Sequence, residues 1–196
     1  QQLFWSTLER NADNVARDVI CLARYLKSHN KTVLLSLVRG GRPIGILLKR
    51  TLALLGVQAA HYAVSIIRDH GIDSKALEFV LNRHADTSIA FIDDWTGKGV
   101  IARELEQSVE VFNTKFQAQV SSALHVLSDP GGFAAIAATR LDYLLPNAML
   151  NATVSGLVSR SFLTTQGFHG VMALPDLSVF DVSKTFLASL MNTIHN

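Results

Sequence analysis

The chain has 196 residues, 48% of them hydrophobic and 8% aromatic, enough for one domain with a single, mainly aliphatic core. Eighteen basic and 16 acidic residues leave a formal charge of +2, without the basic excess of a nucleic-acid binder, and the basic residues are densest at Arg39, Arg42, Lys49 and Arg50. Those four charges interrupt the longest apolar region, residues 32–57, so it does not read as a membrane span; the single cysteine, Cys21, excludes an intrachain disulfide and suits a reducing cytoplasm.

Residues 5–28 predict a helix, with Ser6 and Glu9 in capping-box spacing and Leu8, Val15, Val19, Leu22 and Leu26 along one stripe. A short β-branched run at 32–38 predicts a strand, Arg39-Gly40-Gly41-Arg42 a turn, and Pro43 the first turn of a helix that reaches Leu55 and stops at Gly56. The pattern repeats with a strand at 61–67, a loop at 68–72 and a helix capped by Asp73 that ends near Arg83. It repeats again with a strand at 88–92, a loop at 93–99 and a helix at 100–112. A strand at 123–127, a loop at 128–132, helices at 133–144 and 147–163, a strand at 169–174 and a helix at 178–192 complete the chain.

Strand, loop and helix in alternation predict one α/β domain over residues 1–196, a parallel sheet with helices on both faces. Residues 130–165 are the candidate cover over a ligand. The strands are nearly continuous apolar runs, as burial on both faces requires. Ligands in such folds sit beyond the carboxyl ends of the strands. The polar, glycine-bearing loops all fall there.

Loop 93–99 carries the most chemistry. Gly97 and Gly99 let backbone amides approach a phosphate, Thr96 adds a hydroxyl, Lys98 adds a charge, and the helix that follows presents its positive end. Asp93 and Asp94 would repel a phosphate. They suit the hydroxyls of a vicinal diol and can hold Mg²⁺ directly or through water, so acids beside amides describe a ribose 5-phosphate site. A P-loop is excluded: no glycine lies five positions before Gly97, and Gly99 stands where Ser or Thr is needed. The glycines at 40, 41 and 45 do not make a dinucleotide-binding fingerprint either. Arg39 to Arg42 reads as an anion clamp fit for pyrophosphate. On the 68–71 loop, Arg68 and His70 are candidates to close over a leaving group.

These segments carry a resemblance. Ile92-Asp93-Asp94-Trp95-Thr96-Gly97-Lys98-Gly99 resembles the ribose-phosphate motif of type I phosphoribosyltransferases, and Arg68-Asp69-His70-Gly71 is similar to the catalytic loop of the orotate enzymes. Three stretches, residues 37–45, 66–73 and 150–160, resemble the phosphoribosyltransferase-like proteins encoded with bacterial tellurite-resistance (ter) operons. The likeness runs from about Leu8 to the end of the chain. It implies a type I phosphoribosyltransferase fold, Mg²⁺ and phosphoribosyl pyrophosphate as ligands, transfer of a ribosyl 5-phosphate at C1 to or from a base, and synthesis of a nucleoside-like metabolite during stress. A non-catalytic nucleotide-binding module is the alternative. An RNA-binding role has no basic surface behind it, and a homodimer is compatible with the reading.

The motif departs from the common pattern at two points. The Asp94 to Gly97 spacing is one residue tighter, and Gly99-Val100 replaces a closing Thr or Ser. Base-side contacts are expected from Asp129, Asn151, Thr153, Ser155 and Arg160; Asn151 and Ser155 share a face if their segment is helical. Asn151-Ala152-Thr153 also matches a glycosylation acceptor, which has no meaning without secretion. Some relatives carry a StiP-like cysteine-protease label. Cys21, amid apolar neighbours on a helix, is expected to be a buried structural thiol instead.

Overall fold

The computed structural model describes residues 2–85, 88–148, 160–172 and 175–196. Its centre is a six-stranded sheet in the order β3-β2-β1-β4-β5-β6, formed by β1 (Val33–Val38), β2 (Ala60–Ile67), β3 (Gly71–Ile72), β4 (Ile89–Trp95), β5 (Leu124–Ser128) and β6 (Ile136–Thr139). All the pairings are parallel except β2 with β3. Helices α1 (Gln2–Ser28), α2 (Gly41–Leu54) and α5 (Ser183–His195) pack on one face, and α3 (Ser74–Leu81) and α4 (Val100–Phe116) belong to the core of the other. This is the expected α/β architecture. No helix among the described residues is long and apolar enough to cross a membrane.

The α1 stripe predicted from sequence is buried at every position. Leu34, Ala90 and Ile92 face α1 and α2, while Leu35, Leu37 and Phe91 face α3 and α4, because successive strand residues point to opposite faces. The chain steps from β1 outward to β2 in one direction and from β1 to β4 in the other. A crevice therefore opens between the carboxyl ends of β1 and β4, at the point where the strand order reverses.

Several expectations are corrected. Ser6 does not cap α1, which already begins at Gln2; its hydroxyl donates back to the Leu3 carbonyl within the helix. Helix α2 starts two residues before Pro43, at Gly41. Strand β4 runs on through Asp93, Asp94 and Trp95, so the 93–99 loop begins only at Thr96. The largest error is the helix at 133–144. Residues 136–139 form β6, where pairing with β5 overrides local propensity, the Thr139 carbonyl accepting the Asp129 amide.

Of the helix expected at 147–163, residues 147 and 148 are helical, 149–159 lie outside the described residues, and Arg160–Phe162 is a strand, β7. Strand β8 (Gly170–Met172) pairs antiparallel with β7 and forms a separate two-stranded sheet. Ser178 lies in a 3-10 turn, not at a helix cap, and Asp181 accepts the Ser183 amide at the start of α5. The expected Asp73 cap is present: its Oδ1 accepts the Lys75 and Ala76 amides.

Two histidines are built into the sheet. Ser36 Oγ lies 2.8 Å from His61 Nε2, and His125 Nδ1 donates to the Phe91 carbonyl at 3.2 Å. Burial pushes His61 down to about 4, with the Lys49 and Arg42 charges adding to the shift. Burial also pushes His125 to about 4, against the opposing effect of its backbone bonds. Unfolded histidine titrates near 6.5, so between roughly pH 4 and 6.5 the unfolded chain holds more protons. The stability these groups contribute is complete above about pH 6.5 and is lost as pH falls toward 4. Urea titrations at pH 7, 6 and 5 are expected to show this loss, and His125→Gln to flatten the slope by up to about 1.4 kcal/mol per pH unit.

Candidate functional site

The Gly40–Gly41 turn after β1 lies directly against the end of β4. A Cβ at Gly40 would overlap the carboxylates of Asp94 and Asp93, and one at Gly41 would overlap the Ile92 carbonyl. The glycines were read from sequence as a source of amides for an anion. Their first role is different: only a bare backbone lets the clamp turn seat on the acidic strand end. Gly41 also supplies a backbone hydrogen bond to Asp93.

Asp93 and Asp94 are half-buried and adjacent. Asp93 Oδ1 accepts the Asp94 amide, and Asp94 Oδ1 accepts the Trp95 amide. Burial first, and then the charge of Asp94, holds Asp93 well above its ordinary pKa. Burial also raises Asp94, opposed by its hydrogen bonds.

Asn147 joins the two halves of the site. Its Nδ2 donates to the Gly40 carbonyl at 2.7 Å and to Asp94 Oδ2 at 2.9 Å. The side chain is buried, and its Oδ1 has no hydrogen-bond partner among the described residues. Sequence reasoning missed this residue, which is 107 positions from Gly40 in a segment with no motif. A buried amide oxygen without a donor is costly and suits a ligand or cation. Two desolvated carboxylates beside it make a hard-oxygen donor set that fits a divalent cation, since Mg²⁺ is commonly held by one or two carboxylates together with substrate phosphates.

Thr96 is buried and donates its amide to the Ser128 carbonyl. Gly99 has φ +68 and no side chain caps the N-terminus of α4. The turn is roofed by aromatics: a Cβ at Gly97 would overlap the Trp95 ring, and one at Gly99 would overlap Phe133. Lys98 is exposed, and its carbonyl accepts Arg103 Nη2 at 2.9 Å. Trp95 remains 43% exposed, with Nε1 donating to Asp142.

Asp129, expected on the base side, has its carboxylate committed to the protein's own groups. It is fully buried, its carboxylate accepts the amides of Gly132, Phe133 and Ala134, and Arg140 pairs with it at 3.2 Å. Every one of these bonds shapes the 129–134 loop, which supports the Gly97 turn from below: a Cβ at Gly131 would overlap the Gly97 carbonyl.

The 68–71 segment is a tight hairpin between β2 and β3 and is tied to α4. The Asp69 amide donates to Glu104 and the Ile72 amide to Ser108. Arg68 and His70 are exposed there, and neither is hydrogen-bonded to the Asp93–Asp94 pair. Arg39 is exposed and Arg42 half-buried on the side of the clamp away from the acids, both lining a cavity of about 730 Å³ bounded by β2, α3 and α5. Asn151, Thr153 and Ser155 lie outside the described residues; so does the side chain of Arg160.

Cys21 requires a correction. It is exposed, not buried, and lines a shallow cavity of about 450 Å³ with Arg17, Arg24 and Thr193. The residue falls just off the buried stripe of α1, and a rotation of one position around the helix is what separates it from Leu22.

The family model for the tellurite-like stress resistance cysteine protease StiP matches residues 1–191. The cysteine protease StiP of Acinetobacter baylyi (strain ATCC 33305 / BD413 / ADP1) is 38% identical over 201 residues, covering 95% of this chain and 52% of that protein. The chain thus spans about half the length of that relative. Among solved structures, a purine phosphoribosyltransferase from Pyrococcus horikoshii Ot3 is 15% identical with a TM-score of 0.43, over 67% of this chain and 91% of that one. An HGPRT-ase from Leishmania tarentolae in complex with GMP is 16% identical with a TM-score of 0.44, over 67% and 72%. Likenesses this distant transfer no activity.

The raised pKa of Asp93 makes its ionised form a burden on the fold at neutral pH. Asp93→Asn keeps the acceptor oxygen and removes the charge. It is expected to raise the unfolding free energy from urea titration at pH 8 by on the order of 1 kcal/mol, with the gain fading as pH falls through the raised pKa of Asp93.

Proposed function

The chain belongs to the StiP family, and from that premise we propose that this half of such a protein is a phosphoribosyltransferase-like unit that binds phosphoribosyl pyrophosphate with Mg²⁺. The observation that carries the reading is the paired acids at the β1–β4 crevice, packed on a glycine turn and tied to it by Asn147, whose buried oxygen has no partner among the described residues. Few ligands need acids and amides in one crevice with guanidinium groups on the adjoining side of the same turn. A ribose bearing phosphate at one end and diphosphate at the other does.

In this reading Asp93 and Asp94 accept hydrogen bonds from the ribose hydroxyls. The Thr96–Gly99 turn and the uncapped start of α4 hold the 5-phosphate. Arg39 and Arg42 draw the diphosphate toward the outer side of the clamp. Asp93 and Asp94, with the Asn147 amide oxygen beside them, would hold Mg²⁺, which would supply positive charge against that of the diphosphate. The C1–O bond to diphosphate breaks with its electron pair leaving on oxygen, C1 gains oxocarbenium character, and a lone pair of the base closes the new bond. The protein's part is positioning and charge stabilisation. Exposed Trp95 offers a flat face at the rim for the base. The immediate product would be a base-linked ribose 5-phosphate, the precursor of a nucleoside-like metabolite made under stress.

Calorimetry with phosphoribosyl pyrophosphate and Mg²⁺ is expected to show binding that weakens at least tenfold in Asp93→Asn/Asp94→Asn. No heat with the wild type, or equal affinity in the variant, would sink the assignment. Pyrophosphate release measured against a panel of bases then separates a transferase from a nucleotide-binding module.

A second reading rests on Cys21, exposed between Arg17 and Arg24 in a family named for cysteine proteolysis. Among the described residues, however, no histidine is hydrogen-bonded to the thiol as a base would be. Cys21→Ser is expected to leave pyrophosphate release unchanged. Loss of that activity in a folded variant, or loss of peptide hydrolysis shown by the wild type, would put the chemistry at Cys21.

A further inference from the structure

The cavity of about 730 Å³ lies on the far side of the clamp from Asp93 and Asp94, and the ribose-phosphate reading leaves it unused. Its volume falls within the range of sites for small organic ligands. Its walls are Tyr62 and Val64 of β2, Phe79 and Val80 of α3, Phe168 before β8, and Phe186 of α5. Four elements of different sheets and layers converge to make it, so it is a built concavity and not a scar on one helix.

Two features give it polarity. Four successive residues of β2, Tyr62 to Ser65, line the cavity. Because strand side chains alternate between faces, this means that the cavity meets the edge of the strand. Strand β3 covers that edge only at Ile66 and Ile67. The Ala60 amide donates toward β1 at Thr32, and the Ser65 carbonyl accepts Asp73 on the outer side. Alternation then turns the amide and carbonyl of Ala63 outward, toward the cavity.

The charges are one-sided. Arg39 and Arg42 line it from the clamp and Lys184 from α5. Asp73, the one carboxylate in the lining among the described residues, is already committed, with Oδ1 on the Lys75 and Ala76 amides and Oδ2 on the His169 amide at 2.7 Å. The His169 ring is held in place by Ser65 Oγ at 2.9 Å. An apolar chamber with cations at its mouth and its carboxylate internally satisfied is complementary to an anion with a hydrophobic body.

We propose that this cavity binds a small amphiphilic carboxylate: an aromatic or aliphatic body among Tyr62, Phe79, Val80 and Phe168, with the acid head at Arg42 and Lys184. Arg42 also belongs to the clamp, so the occupant and a diphosphate compete for one guanidinium, and the cavity is a control point for the crevice. Binding in the cavity does not depend on the phosphoribosyl reading. Only the competition touches it, and inorganic diphosphate tests that without requiring turnover.

The probe is 2-naphthoate, titrated into the full chain by calorimetry and by ¹H–¹⁵N correlation spectra, with 2-naphthylmethanol as the uncharged control. Shifts are expected at Ala63, Phe168 and His169, with the alcohol binding at least tenfold more weakly. Lys184→Gln should weaken naphthoate about threefold or more. Ala63→Trp, which fills the cavity from β2, should weaken it tenfold or more; Val171→Trp fills it from β8 if the first variant fails to fold, as judged by circular dichroism. Saturating inorganic diphosphate should reduce the affinity. No binding, equal binding of the alcohol, or full affinity in a folded filled variant overturns the site. Affinity unchanged by diphosphate overturns its link to the clamp. Failure of phosphoribosyl pyrophosphate to bind, with naphthoate still binding, would overturn the proposed function and leave the cavity standing.

Discussion

The close seating of Gly40 and Gly41 on the last residues of β4 organises this molecule. A side chain at either position would overlap Asp94 or the Ile92 carbonyl, so the turn can lie where it does only as bare backbone. That contact sets the depth of the crevice between β1 and β4. It also starts α2 at Gly41 and turns Arg39 and Arg42 away from the acids, toward the other side of the clamp. Asn147 then closes the arrangement by bonding one carbonyl of the turn and one carboxylate of the strand.

The same seating explains why the acids are unsettled. Asp93 and Asp94 lose water to the turn packed on them, which raises both, and the charge of Asp94 raises Asp93 further. A fold selected only for stability would not place two carboxylates and an amide oxygen without a donor in one crevice. Such local conflict marks a place where a ligand is meant to supply the missing charge and donors. By contrast, Asp129 is more deeply buried and carries no such tension. Three amides and Arg140 satisfy it, and its work is to shape the loop under Gly97.

Around this centre the protein separates two kinds of surface. Toward β4 and β5 the crevice is polar and built from backbone amides. Toward β2 and α3 it becomes an apolar chamber with cations at its mouth. The clamp arginines line the chamber from the glycine turn. Cys21 lies apart, in the outer helical layer, where α1 meets α5 beside Thr193.

The amino-acid order alone determined the alternation of strand and helix, the buried stripe of α1, the Asp73 cap and the clustering of polar loops at one sheet edge. Each follows from periodicity or from side-chain chemistry within a few residues. What lay beyond its reach depended on partners distant in the chain. Residues 136–139 are a strand because β5 has an edge to pair, and Asn147 matters because a turn 107 residues earlier offers it a carbonyl. Cys21 is exposed because α1 turns one position past its buried stripe, and the true reason for Gly40 and Gly41 is a neighbour that local sequence does not contain. Local sequence carries propensity and pattern; which atoms meet across the sheet is decided only when the layers close.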